Sequence, residues 1–289
     1  VRLADPLDQA SGLRRLFAPE PAFQALGVVG PDLRRTASAC AALARGLGRR
    51  GHRVLVMDEM RPPNNVAGLL GVMPRHGLVD APGRGLVAVA RQAGEGLVLL
   101  AAQEGLNTLA ALTEHDLLDM TEDWRSRAEA PEWLLLNGGD GPLRNSSLAT
   151  SANLRVLVLP GNRAALADAY AVMKAAQAAW SGKHWLVLVE GVEAGQALIL
   201  FGALRETAQR FLGVTPVFLG CIGRDAPGAQ PAALDAAMVD VLSSAGQQQG
   251  AGERINFEQC WQRMWLYSRM AQEATGKRIG HGQRGVGER

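Results

Sequence analysis

The sequence predicts an α/β protein: a doubly wound, mostly parallel sheet with helices on both faces. Short apolar runs recur at Ala25–Val29, Arg53–Met57, Gly96–Ala101, Trp133–Leu136, Arg155–Leu159, Trp185–Val189 and Val217–Ile222. Most are apolar at consecutive positions, as strands buried on both faces are. Helical stretches at Thr36–Arg50, Asn64–Gly71, Ala164–Ala179, Gly195–Leu212 and Pro231–Ser244 alternate with them. Strand–helix alternation closed by right-handed crossovers gives a parallel sheet covered on both sides. At 289 residues and 47% hydrophobic, the chain is long enough to bury a substantial core.

Taken in order, residues 1–18 are a polar lead that includes Asp8-Gln9-Ala10-Ser11-Gly12-Leu13-Arg14-Arg15-Leu16-Phe17. Leu13, Leu16 and Phe17 fall on one face of a short helix. That face either docks on the chain's own domain or serves as a recognition segment. An α/β domain over residues 19–250 follows. It opens with a strand, a turn, a long helix and a second strand ending at Asp58, the first βαβ unit of a nucleotide-binding protein. A phosphate-binding turn needs several glycines, so that backbone N–H groups reach the phosphates, and a lysine to neutralise them. Here the turn reads Val29-Gly30-Pro31-Asp32-Leu33-Arg34-Arg35-Thr36. Only Gly30 and Thr36 suit the task, with Arg35 in the lysine's place. Pro31 removes a donor and Asp32 puts a negative charge where phosphates would lie. The expectation is a nucleotide-binding fold whose nucleotide site has decayed.

Farther along, Thr113–Ala130 is charged and reads as helix or loop, and Asn137–Ser147 as a Gly/Asn/Ser-rich loop after a strand. Ser243–Glu253 reads as a linker. Residues 251–289 then form a C-terminal helix and tail. Phe257, Cys260, Trp261, Met264 and Trp265 make an amphipathic stripe. It either packs back on the domain or offers Phe257, Trp261, Met264 and Trp265 to a membrane or a partner. Gly276–Arg289, Gly- and Arg-rich, reads as disordered. Its Gly280-His281-Gly282-Gln283-Arg284-Gly285 matches a dinucleotide fingerprint as text only, with no strand before it and no helix after it.

A formal net charge of +2 gives no strong field toward nucleic acid, and no nucleic-acid partner is expected. Basic residues are almost all arginine, as biased base composition would produce. Cys40, Cys221 and Cys260 are far apart and include no CxxC pair, which disfavours a disulfide framework or a zinc site. The five histidines show no ligand spacing, so no metal site is expected. No 18-residue apolar run and no signal-peptide core is present, which points to the cytoplasm. No serine or cysteine hydrolase motif occurs, and no catalytic residue is assigned.

Several segments together resemble one family. Asp8–Arg14 is similar to a DQAxxLR segment. Val54-Leu55-Val56-Met57-Asp58-Glu59-Met60 followed by Asn65–Gly71 resembles VLLLDADLGLANVDxLLG. Trp133–Gly141 resembles a strand ending in Asp and a small-residue switch loop. Ala167–Lys174 is close to TDAYALIK, and Leu219–Asp225 to LGxIxxD. The chain thereby resembles the MinD/ParA group of deviant-Walker P-loop ATPases, and within it the FlhG (FleN) regulators of flagellar number and placement, over roughly residues 8–225. The resemblance implies that Asp8, Gln9, Ala10, Leu13 and Arg14 engage an FlhF-type GTPase. It makes Gly30, Arg35, Thr36, Asp58, Asn137 and Glu190 the positions of a vestigial nucleotide site. There Met60 and Asn137 stand in place of two carboxylates, and Glu190 in place of an adenine-reading Asn. A thioether can neither act as a base nor hold Mg²⁺ through oxygen.

The implied function is a pseudo-ATPase adaptor with no cofactor, ATP and Mg²⁺ binding only if the altered loop still admits them. Its partners would be the FlhF-type GTPase and flagellar switch or regulatory proteins. It would be a monomer or an ATP-independent dimer, cytoplasmic, at the cell pole or the inner-membrane periphery. Membrane contact would be weak, because only Arg263 and Arg269 charge the helix's polar face. Two alternatives stand beside it: an active ATPase using Arg35 and Gly30, or a MinD-like positioning or secretion accessory protein outside the flagellar system.

Overall fold

Strand registers place the ends of five neighbouring strands along one rim, and that rim organises the molecule. The computed structural model describes residues 23–125, 130–138, 147–179, 184–223, 236–247 and 255–282. Eight strands form one sheet in the order β3-β4-β2-β5-β1-β6-β7-β8. They are β1 (Gln24–Val29), β2 (Val54–Asp58), β3 (Arg91–Gly94), β4 (Leu97–Ala101), β5 (Trp133–Asn137), β6 (Leu154–Pro160), β7 (Trp185–Glu190) and β8 (Val217–Ile222). All pairs are parallel except β3 with β4.

The helices are α1 (Leu33–Arg49), α2 (Val66–Leu69), α3 (Leu86–Val89), α4 (Gly105–Ala111), α5 (Glu114–Arg125), α6 (Ala165–Ala179), α7 (Ala194–Leu212), α8 (Ala236–Gln247) and α9 (Phe257–Gly282). Successive residues of each central strand serve opposite cores, as a pleated strand requires. Leu26 and Val28, Val54 and Val56, and Leu186 and Leu188 pack with α1, α2 and α8 on one face. Ala25 and Val29, Leu55 and Met57, and Val187 and Val189 pack with α5, α6, α7 and α9 on the other. The fold class read from the sequence is therefore the observed one.

The differences are local. Strand β3 was not expected: apart from the half-buried Ala93, Arg91–Gly94 is exposed at the sheet edge and shows no apolar pattern. The helix expected over Asn64–Gly71 shrinks to one turn, closed by Gly71 at φ 71°. Within Thr113–Ala130, Glu114–Arg125 form α5, and Ser243–Gln247, read as linker, continues α8. Gly276–Gly282, read as disordered, continues the backbone of α9. That helix starts from a reciprocal cap: Gln259 N–H donates to the Asn256 side chain at 2.8 Å, and Asn256 N–H to the Gln259 side chain at 3.0 Å.

Candidate functional site

The turn after β1 closes on itself. Asp32 is the N-cap of α1, and its carboxylate accepts the Arg35 N–H at 3.1 Å. Its carbonyl accepts both the Thr36 N–H (2.9 Å) and the Thr36 hydroxyl (2.7 Å). Donors that would face an anion at a helix N-terminus are thus partly taken by Asp32 itself. Arg35 turns the same way. Its Nε lies 3.4 Å from Asp32 Oδ2 and its Nη1 3.7 Å from Glu190 Oε2. The guanidinium lies over Gly191, whose φ of +88° and bare Cα admit it, since a Cβ there would come within 2.9 Å of Nη1. Gly30 is equally confined, its missing Cβ 2.6 Å from the Thr36 hydroxyl.

The pairing of β2 with β5 sets Asp58 opposite Asn137. Both are fully buried. Asp58 Oδ1 accepts from Asn137 Nδ2 (2.8 Å) and from the Met60 N–H (3.2 Å). Its Oδ2 accepts from the Val66 N–H (2.7 Å) and the Ala67 N–H (3.1 Å). Asn65, the nominal N-cap of α2, makes no side-chain cap bond. Asp58 caps that helix from a distance instead. Burial raises the Asp58 pKa and the four hydrogen bonds oppose the rise. Met60 is buried as well, leaving its carbonyl to accept from Gln103 at 3.3 Å.

Beside Asp58, Glu59 accepts from the Ser147 hydroxyl (2.5 Å) and the Leu148 N–H (3.1 Å). Ser147 in turn caps the 3₁₀ turn Leu148–Ser151. That turn lies directly on β1, because a Cβ on Gly27 would sit 2.1 Å from the Ala149 carbonyl oxygen. On its other side Thr150 hydrogen-bonds the Tyr267 side chain of α9, and its carbonyl accepts from Arg155 at 2.8 Å. Arg155 is buried over the Trp185 ring, 5.3 Å from its centroid. Loss of hydration pushes its pKa down to about 10, with the neighbouring Arg263 acting in the same direction.

Desolvation pushes the Glu59 pKa up from 4.5 to about 7, and its bonds to Ser147 and Leu148 only partly offset this. The folded chain therefore holds a proton that the unfolded chain has released, across the window from 4.5 to about 7. Stability falls as pH rises through that window and is level above it. At roughly 1.4 kcal/mol per unit the fall is at most about 3.5 kcal/mol. Thermal melts of Glu59→Gln across this window should lack the slope. Equal slopes in the variant and the parent would remove Glu59 as its source.

Of the residues read as a vestigial nucleotide site, the structure brings Gly30, Arg35, Thr36 and Glu190 into one cluster and Asp58 with Asn137 into a second. Asp8, Gln9, Ala10, Leu13 and Arg14 lie outside the described residues, as do Asp140, Arg224 and Asp225. Trp261 and Met264 are fully buried against the domain, while Phe257 and Trp265 are partly buried there. The helix face offered to a membrane or partner is consequently the one that fills the chain's own core. The sequence reading missed Glu59, Ser147, Arg155 and Tyr267. A carboxylate directly after a buried Asp at a strand end was the available signal for Glu59; the other three have none. Among the described residues no group of three or more His, Cys, Asp or Glu could hold a metal.

Most of the architecture has a solved counterpart. A chain of the MinC:MinD cell division protein complex of Aquifex aeolicus superimposes with a TM-score of 0.51 at 15% identity, covering 86% of this chain and 96% of that one. The fold is the one this solved MinD structure shows. MinD of Aquifex aeolicus alone gives a TM-score of 0.49 at 15% identity, covering 86% of this chain and 95% of that one. The cell division ATPase MinD of Pyrococcus furiosus gives 0.48 at 16%, covering 88% and 99%. No protein-family model matches the sequence, and neither does any curated protein. No described helix is long and apolar enough to cross a membrane.

Proposed function

We propose that the chain is an FlhG-like adaptor on a MinD/ParA fold that has given up nucleotide hydrolysis and binds an FlhF-type GTPase through Asp8–Arg15. The observation that carries the loss of hydrolysis is the ion cluster in the phosphate turn. A magnesium-bound triphosphate needs backbone donors, a cation free to meet the phosphates and carboxylate oxygens free to face the metal and its waters. The residues present do not fit it. Arg35 is held by Asp32 and Glu190, giving a cluster of one positive and two negative charges. Each carboxylate about 4 Å from a phosphate charge would oppose it by roughly 4 kcal/mol at the effective dielectric of a protein surface. Asp58 spends its oxygens on four internal donors.

Support for the partner is of another kind: the similarity of Asp8–Arg14 to the family's GTPase-engaging segment. An arginine beside polar side chains suits insertion near a GTPase active site, where a positive charge can orient the reaction. Flagellar switch or regulatory proteins would meet the core of the adaptor, at the cell pole or the membrane periphery.

Calorimetric titration of the purified protein with ATP and ADP in the presence of Mg²⁺ tests the first half. No heat and no thermal stabilisation are expected up to millimolar nucleotide. Micromolar binding of either nucleotide would overturn the loss of the site and return the chain to the working ATPases.

A further inference from the structure

Helix α7 is the crossover from β7 to β8 and packs on both strands. Its inner face buries Ala197, Leu200, Phe201, Leu204 and Ala208. The opposite face is open to solvent, yet its first half is apolar too. Gly195, Leu198, Ile199 and Gly202 are all exposed there, at the i, i+3, i+4, i+7 spacing of one helical stripe. Leu198 is 53% exposed and Ile199 65%. From Ala194 to Leu204 the helix carries no charged residue. A surface helix ordinarily sets charge on its outer face, and one that is apolar all round is a covered one.

The two glycines point the same way. Apart from the helix's own backbone, nothing lies within 4 Å of the place where a Cβ would stand on Gly195 or Gly202. No contact inside the chain therefore calls for either. A glycine in a helix interior weakens the helix, and Gly202 sits in the middle of α7. Small residues on a helix face do serve a second helix, which can then approach to about 8 Å between axes.

The charges that frame the stripe say what that second helix is. Glu193 is the N-cap of α7 and makes no side-chain cap bond. Arg205 and Glu206 stand exposed beyond the other end of the stripe. Among the described residues none of these three is in an ion pair. A second copy of α7 laid antiparallel across the stripe, with the two-fold axis level with Leu200, matches them. Leu198 of each copy falls level with Gly202 of the other, a knob against a notch. Arg205 falls level with Gly195, about 3 Å along the axis from Glu193 of the second copy and within reach of it. Glu206 falls level with Ala194, at the N-terminal N–H groups of the second helix, where negative charge is favoured. The two-fold repeats each of these contacts. A parallel pairing would set Glu193 against Glu193 and Arg205 against Arg205.

We propose that the outer face of α7 is the two-fold interface of a homodimer of this chain, formed without nucleotide. None of the stripe belongs to the phosphate-turn cluster, and the proposal does not rest on the adaptor reading. One helix pair lies at the small end of specific interfaces, below about 1,200 Å², so the dimer is reversible in the micromolar range.

Sedimentation equilibrium of the full chain across micromolar concentrations should show a monomer–dimer equilibrium that ATP and Mg²⁺ leave unchanged. Leu198→Glu should weaken it by about 100-fold or more, while the melt of the dilute protein stays parent-like because the side chain is exposed. Gly202→Gln gives effects of opposite sign: the dilute monomer melts higher, as removal of a helix glycine predicts, and association weakens by about tenfold or more. Glu193→Arg and Arg205→Glu should each weaken association roughly tenfold, and the double variant should restore it. A chain that stays monomeric throughout, a dimer that forms only with nucleotide, or association untouched by both Leu198→Glu and Gly202→Gln would overturn the interface. A double charge variant no tighter than the single ones would overturn its antiparallel register.

Discussion

Asp58→Ala should destabilise the protein by about 3–5 kcal/mol while changing no nucleotide-dependent property. The magnitude follows from what the substitution strands. Three backbone N–H groups and the Asn137 amide donate to Asp58 in a fully buried setting. Each donor left without an acceptor costs about 1–3 kcal/mol, reduced where water enters the cavity. The effect concentrates on α2, whose first turn loses its only side-chain cap. Asp58→Asn keeps the shape and one acceptor oxygen, and its loss should be smaller. Chemical denaturation of the three proteins orders them. A parent-like Asp58→Ala midpoint would mean that those donors find water readily, and that the carboxylate is available to other ligands.

That prediction turns on a change of role which the sequence could not display. The strand ending at Asp58 was legible, because Val54–Met57 is apolar at every position and must lie between two covered faces. The residue types at Gly30, Arg35, Asn137 and Glu190 were also legible as departures from a phosphate site. What remained hidden was pairing. Arg35 and Glu190 are 155 positions apart, and only the sheet order β1-β6-β7 brings the end of β7 near the turn after β1 and sets the guanidinium between Asp32 and Glu190. A lone arginine in a turn and a lone glutamate at a strand end carry no mark of each other. Edge strand β3 was hidden for the converse reason: in Arg91-Gln92-Ala93-Gly94 only Ala93 packs against the core, so no apolar pattern marks the strand. Local signals reveal what is buried by a strand's own neighbours. They are silent on ion pairs closed by topology.

The C-terminal helix supplies the second large effect: Trp261→Ala should cost about 3–5 kcal/mol, the range for emptying a buried aromatic site. On a helix bearing a stripe of Phe, Trp and Met, the sequence left open whether that stripe faces inward or outward. Trp261 is fully buried, Phe257 meets it at 6.1 Å and also meets Phe23 and Trp124, and the Trp265 indole donates to the Leu112 carbonyl at 2.9 Å. These contacts tie α9 to β1, α5 and the end of α4, so the helix completes the core beneath that half of the sheet. Removing the indole opens a cavity bounded by several elements, none of which can collapse alone. Met270→Ala offers the contrast: at 58% exposed it lies on the outer side of the same helix and should change stability by less than about 0.5 kcal/mol. Thermal melts of the two variants separate the cases. A large loss in Trp261→Ala with none in Met270→Ala assigns the Trp face to folding. Equal and small losses would return that face to the surface, where a membrane or a partner protein could reach it.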